Sequence, residues 1–181
     1  MSRFLSFAFR VDNAQQARDK IKEYANLYHD ARHVCWAYMI GPARTEYLSS
    51  DNGEPSGTAG KPILGQINSL NLTNVVVIVV RYFGGIKLGT PGLIAAYRET
   101  ARLALDDAGT LEITRTRNIK VTVPYERLDA VMRIVKEKEL AILEQQMEMN
   151  CVLIIQTPML ITDEIISRLE KINRLTFAVE E

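Results

Sequence analysis

Apolar and polar residues alternate from Phe4 to Arg10, a period of two that predicts a strand. Ala17, Ile21, Tyr24, Ala25 and Tyr28 then recur at helical spacing, predicting a helix over Ala14 to Tyr28 with Asp12 or Asn13 as its N-cap. A second strand is predicted over His33 to Ile40, and Gly41-Pro42-Ala43-Arg44 turns the chain into a third near Thr45 to Leu48. Residues 49 to 60 hold nothing apolar larger than alanine and read as a polar loop; Lys61 to Leu70 reads as a short helix with Pro62 in its first turn. The most informative stretch follows. Val75 to Val80 is a run of β-branched residues, the mark of a strand buried on both faces. It ends in Arg81, Tyr82 and Phe83 and enters a loop with glycines at 84, 85, 89 and 92, after which Pro91 opens an amphipathic helix to Asp107 that stops before Gly109.

The pattern restarts near residue 113. Asn118 to Val123 alternates as a strand, and Tyr125 to Lys138 is a helix with Leu128, Val131, Met132 and Val135 on its apolar face. Leu140 to Met147 and Cys151 to Thr157 are strands either side of the turn residue Asn150. Thr162 or Asp163 caps a helix to Lys171, and Leu175 to Val179 is a last strand. The order β-α-β-β-α-β matches the ferredoxin-like motif. The expectation is an α+β protein of two domains, residues 1–112 and 118–181, joined by a short linker around 110–117.

Composition adds bounds rather than identity. A chain of 181 residues with 47% hydrophobic and 24% charged residues has the make-up of an ordinary soluble protein. The longest apolar run is far too short to span a bilayer, and the N-terminus enters a strand pattern without a signal-peptide core. Cys35 and Cys151 follow no metal or disulfide spacing, so no disulfide partner and a reducing cytoplasm are expected. Net charge is zero, but residues 118–181 hold 8 basic and 11 acidic side chains, leaving 14 and 11 of the 22 and 22 for residues 1–117. That small lean of +3 points any anionic partner to the first part and is too small to argue for nucleic acid by itself.

A core strand leading through a glycine-rich, cationic loop into a helix start has the parts of an anion site, because glycines admit a close ligand and the helix end favours negative charge. Arg81 and Lys87 have no acidic residue within the loop to pair with, and Tyr82 and Phe83 are either core residues or a stacking surface for a base. The glycines fit neither the dinucleotide fingerprint nor the phosphate-binding P-loop. In the polar loop, Asp51 and Glu54 beside Ser56 and Thr58 read either as a ligand or acid–base site or as plain turn formers. His33 and Cys35 share one strand face, either as a thiolate–imidazole pair or as a structural cysteine beside a hydrogen-bonded histidine. With no second Cys/His pair, neither a metal nor another cofactor is expected.

Three segments together, Ala31-Arg32-His33-x-Cys35-x-Ala37, Asp51-x-Gly53-Glu54-Pro55-x-Gly57-Thr58-Ala59-Gly60-x-Pro62-Ile63 and Val80-Arg81-Tyr82-Phe83-Gly84-Gly85-x-Lys87-Leu88-Gly89, closely resemble the IMPACT family and its YigZ-type bacterial members. The resemblance covers residues 2 to about 110 with the motifs in order. It implies a first domain of the ribosomal-protein and elongation-factor G domain IV type, with a left-handed β-α-β crossover, and a ferredoxin-like second domain. It implies a role in translation regulation and transfers no established enzymatic activity. Eukaryotic members act through an additional N-terminal domain that binds a translation activator; the chain begins directly with the shared domain, so that partner is not expected. The primary reading is therefore a cytoplasmic, non-enzymatic binding protein that touches RNA, the ribosome or a translation factor. Its anion-binding candidates are Arg32, His33, Arg81, Tyr82, Phe83, Gly84, Gly85, Lys87 and Gly89. The alternative is an enzyme acting on a phosphorylated or nucleotide small molecule at the 51–60 and 81–92 loops. Either way, the three segments are expected to meet in one shallow, mildly basic cleft.

Overall fold

The computed structural model describes residues 2–180, and its first unit runs β1 (Arg3–Arg10), α1 (Ala14–Leu27), β2 (His33–Ile40), β3 (Glu46–Ser50), α2 (Gly60–Ser69), β4 (Val75–Tyr82) and α3 (Gly89–Ala108). Its sheet has the order β1-β4-β2-β3 with every neighbouring pair antiparallel. The valine-rich β4 lies inside it, paired on both edges and buried from Val75 to Arg81. Strand alternation divides its side chains. Val75, Val77 and Val79 pack with Cys35, Ala37 and Met39 under α2 and α3, through Ile63, Ile67, Leu93, Tyr97, Ala101 and Leu105. Val76, Ile78 and Val80 face the other way, with Val34, Tyr38 and Ile40, toward Ala14 and Ala17 of α1. Two helices on one face and one on the other account for the unbroken apolar run.

The α1 cap is Asn13, whose Oδ1 accepts the Gln16 N–H at 2.9 Å. Elsewhere the boundaries move. β3 extends to Ser50, so the polar loop begins at 51 rather than 49, and α3 starts at Gly89, which puts Pro91 inside its first turn rather than at its first position. Proline is tolerated there because the first N–H groups of a helix lack intrahelical partners anyway.

The second unit begins at residue 111 by its contacts. It comprises β5 (Thr116–Pro124), α4 (Leu128–Glu137), β6 (Ala141–Met147), β7 (Asn150–Pro158), α5 (Thr162–Leu169) and β8 (Thr176–Glu180), in antiparallel sheet order β6-β7-β5-β8. Ile119, Val121 and Val123 of β5 and Cys151, Leu153 and Ile155 of β7 bury one sheet face with Val131, Ile134 and Val135 of α4 and Ile165 and Leu169 of α5. Both helices are shorter than their apolar patterns suggested. A 3-10 turn precedes each, over Tyr125–Arg127 and Met159–Ile161, and α5 stops at Leu169. The protein is thus α+β, with two antiparallel sheets and five helices among the described residues. Among those residues no helix is long and apolar enough to cross a membrane.

A cationic cleft around a buried ion pair

Register builds the site. Arg81 is paired across β4 with Phe4 of β1 on one side and His33 of β2 on the other, so the three stand in one row on the α2/α3 face. The loop after β3 folds over that row and supplies Glu54. Its Oε1 accepts from Arg81 Nη1 at 2.6 Å and from the Tyr97 hydroxyl of α3 at 2.8 Å, and lies 3.8 Å from His33 Nε2. Arg81 and Glu54 are 4% and 9% exposed, so this is a buried ion pair and not a surface one. Arg81 Nη2 also donates to Ser2 Oγ, and its guanidinium lies 5.6 Å and 5.7 Å from the ring centroids of Phe4 and Phe83. The expectation of an unpaired Arg81 is corrected here. No acid within its own loop faces it, but the polar loop 27 residues upstream delivers one.

His33 Nδ1 lies 2.9 Å from the Asn52 carbonyl, which only accepts, so Nδ1 carries the proton. Gly53 beside it has φ +84°, and a Cβ there would stand 3.3 Å from His33 Nδ1. Cys35 is fully buried, its Sγ 3.3 Å from the Tyr97 hydroxyl and 2.9 Å from the Asp51 carbonyl. Burial pushes its thiol up to about 12, and burial followed by the neighbouring Cys35 and Glu54 raises Tyr97 well above the usual phenol range. Cys35 is thus held as a neutral thiol, against the thiolate–imidazole alternative.

Asp51 holds the loop together. One carboxylate oxygen accepts from the Gly57 N–H at 2.8 Å, and the other from Ala59 at 2.9 Å and Gly60 at 2.8 Å. It thereby caps α2, whose own N-cap position is an alanine with no side-chain bond. Burial is the largest influence on its carboxyl and acts upward, but the backbone donors at Gly57, Gly60 and Ala59 together, with Lys61, hold it below the usual carboxylate range. Thr58 is buried with its hydroxyl donated to the Pro55 carbonyl at 2.7 Å, whereas Ser56 is exposed.

A cleft of about 480 Å³ opens beside this network, lined by Arg32, His33, Glu54, Pro55, Arg81, Phe83, Lys87, Leu88, Gly89, Thr90 and Leu93. All three sequence segments reach it. Three cations face one carboxylate, and that carboxylate is taken by Arg81; Arg32 and Lys87 are exposed and enter no ion pair with a described residue. Phe83 is 45% exposed.

Other predicted residues lie elsewhere. Tyr82 points to the α1 face and donates to Asp30 at 2.8 Å, because adjacent strand residues alternate sides. Gly84 is half-buried and Gly85, at φ +85°, is exposed; neither lines the cleft, while Gly89 opens α3 at its rim. Asp51, Ser56 and Thr58 do not line it either. Tyr97, which joins Glu54 to Cys35, was missed. Its spacing with Leu93, Ala101 and Leu105 is that of any core-facing helical residue, and no sequence signal separates it from them.

These features define an α+β protein whose first unit carries a cationic cleft beside a buried Arg–Glu pair. Residues 1–105 match the Impact N-terminal domain model. The IMPACT family member YvyE of Bacillus subtilis (strain 168) is 35% identical over 143 residues, which cover 79% of this chain and 66% of that protein. An IMPACT family member of Haemophilus influenzae is 35% identical over 85% of this chain and 76% of its own length. YigZ of Escherichia coli (strain K12) is 36% identical over 72% of this chain and 65% of its own length. A crystal structure described as that of a hypothetical protein superposes with TM-score 0.66 and 29% identity, covering 99% of this chain and 89% of that one. The chain belongs to the IMPACT family.

Proposed function

We propose that this protein is a non-enzymatic binding protein of the cytoplasm that acts in translation regulation through contact with RNA, the ribosome or a translation factor. The cleft of the first unit is its contact surface. One observation carries the reading: Glu54 is satisfied inside the fold by Arg81 and Tyr97, so Arg32 and Lys87 remain as surplus positive charge around an exposed aromatic. Surplus cations beside an exposed ring suit a phosphate-bearing partner with stackable bases. The same observation weighs against the enzyme alternative. Asp51 accepts three backbone N–H groups and Glu54 is locked in an ion pair, so both carboxylates that would serve as base or magnesium ligand are engaged. In this reading the first unit is of the ribosomal-protein and elongation-factor G domain IV type that the family resemblance implies, and the sheet order β6-β7-β5-β8 supports a ferredoxin-like second unit.

The test is binding of labelled RNA and of purified ribosomes at two salt concentrations. Association that falls with salt, and a slope that drops by about 0.7–1 in Lys87→Ala, supports the reading. Absence of salt-sensitive association with either at low ionic strength overturns it.

A further inference from the structure

A second groove, of about 560 Å³, lies between α2 and α3 and is lined by Gly57, Lys61, Pro62, Gly65, Gln66, Ile94 and Arg98. Its two charged residues are both cations, both exposed, and neither forms an ion pair with a described residue. Lys61 acts on Asp51 only through space, and that carboxylate is already bound to three backbone N–H groups. The groove adjoins the cleft described above. Pro55 lines one and Gly57 the other on the same loop, and Leu93 and Ile94 are neighbours on α3.

We infer that the two depressions form one track for a single RNA strand, in which the cleft holds the first phosphates and an unpaired base against Phe83, and Lys61 and Arg98 hold the phosphates that follow. The inference rests on the proposed function and extends it by naming the ligand's form and length. Thr90 at the cleft and Arg98 at the groove are eight residues apart on α3, about 12 Å along its axis at ~1.5 Å per residue. A strand of a duplex advances ~3.4 Å per phosphate and an unstacked single strand advances further, so that distance is spanned by at most about four phosphates. A mononucleotide reaches only one end. An exposed aromatic selects single strands over duplex, because duplex bases are already stacked on each other.

The experiment uses the full chain and a fluorescein-labelled, mixed-sequence single-stranded RNA of about twelve nucleotides, long enough to overhang a span of at most about four phosphates. It compares wild type, Lys87→Ala, Lys61→Ala/Arg98→Ala and Lys61→Glu/Arg98→Glu. Both added pairs of substitutions are on exposed side chains, and an unchanged Tm confirms that each variant is folded. Each lost contact costs about five-fold in affinity at 0.1 M salt, from a slope of ~0.7 per phosphate contact, so the alanine pair loses about 25-fold and its salt slope falls by about 1.4. The glutamate pair loses more, while a dinucleotide used as competitor binds wild type and both pairs alike. If RNA binds wild type and Lys87→Ala weakens it but both pairs keep wild-type affinity and slope, the track is wrong and the cleft reading stands. If wild type binds neither RNA nor ribosomes, the proposed function falls and takes the track with it. A twelve-base-pair duplex binding more tightly than the single strand overturns the single-strand assignment, and polyglutamate competing as well as RNA overturns it in favour of an acidic protein.

Discussion

Replacing Arg81 by methionine keeps most of the side chain's length and removes its charge, leaving Glu54 buried without its guanidinium partner. At 2.6 Å and an effective dielectric of about 20, the gross attraction between the two charges is roughly 6 kcal/mol. Much of that is offset by the desolvation of two ions, so the pair's net contribution is far smaller than its gross value. The single substitution is different, because it deletes the attraction and leaves the desolvation of Glu54 in place; breaking a buried pair in this way costs about 3–5 kcal/mol. For a unit of this size, at about 4 °C per kcal/mol, Tm falls by roughly 12–20 °C. The chain's single tryptophan, Trp36, lies in β2, so its fluorescence during heating reports on the first unit. Adding Glu54→Gln to Arg81→Met removes the stranded charge and keeps an acceptor for the Tyr97 hydroxyl, so the double variant recovers at least about half of the loss. An Arg81→Met protein that melts within about 3 °C of wild type, a shift of less than 1 kcal/mol, refutes the argument. A double variant no more stable than the single one refutes it too.

Gly60→Ala places a Cβ 2.8 Å from the Ser50 nitrogen and costs about 1–3 kcal/mol in urea denaturation, whereas Gly65→Ala, five residues on in the same helix and facing open space, gains about 0.5–1 kcal/mol. Asp51→Asn weakens the α2 cap by about 1 kcal/mol at pH 7. Because the folded carboxyl titrates below its ordinary value of 3.8, the charge's contribution is complete above that pH and is lost as pH falls through the folded value. The stability gap between wild type and Asp51→Asn therefore narrows below pH 3.8, and a gap unchanged at pH 3 contradicts the assignment. Phe83→Ala reduces RNA affinity by a stacking loss of about 1–3 kcal/mol, while Tyr82→Phe leaves it unchanged because that hydroxyl faces Asp30 across the sheet. Equal effects from the two substitutions would put the contact surface in the wrong place.

The valine run of β4 was legible because a strand covered on both faces must be apolar at every position, and few other local patterns produce that signal. The joining of three distant segments was legible too, from the order of the strands, loops and helices that carry them. What failed to show was partnership. Glu54 reaches Arg81 across 27 residues, and the +3 lean of residues 1–117 says nothing about which charges are spent inside the fold. Asp51 read as a candidate ligand because a carboxylate in a loop looks the same whether it faces solvent or three backbone N–H groups. Tyr82 was grouped with Arg81 and Phe83 by adjacency, although strand alternation already implied that it faces the other way from both.

The way the loop is held bears on the contact proposed for the cleft. Asp51 fixes residues 57, 59 and 60, Asn52 donates its side-chain amide to the Val34 carbonyl at 2.9 Å, and Glu54 is tied to β4 and α3. Three anchors in nine residues leave the loop little to lose on binding, so the ordering cost that usually opposes association is met during folding. Arg32 and Lys87, by contrast, are exposed and enter no ion pair with a described residue. A tethered floor with exposed cations at its rim suits a ligand recognised by repeated charge. It suits less well one whose every atom must be fixed, as a small-molecule substrate's must. In the proposed contact the buried Arg81–Glu54 pair therefore serves the scaffold and the surface at once: it anchors the loop, and it neutralises the carboxylate that, among the described residues lining the cleft, would repel a phosphate.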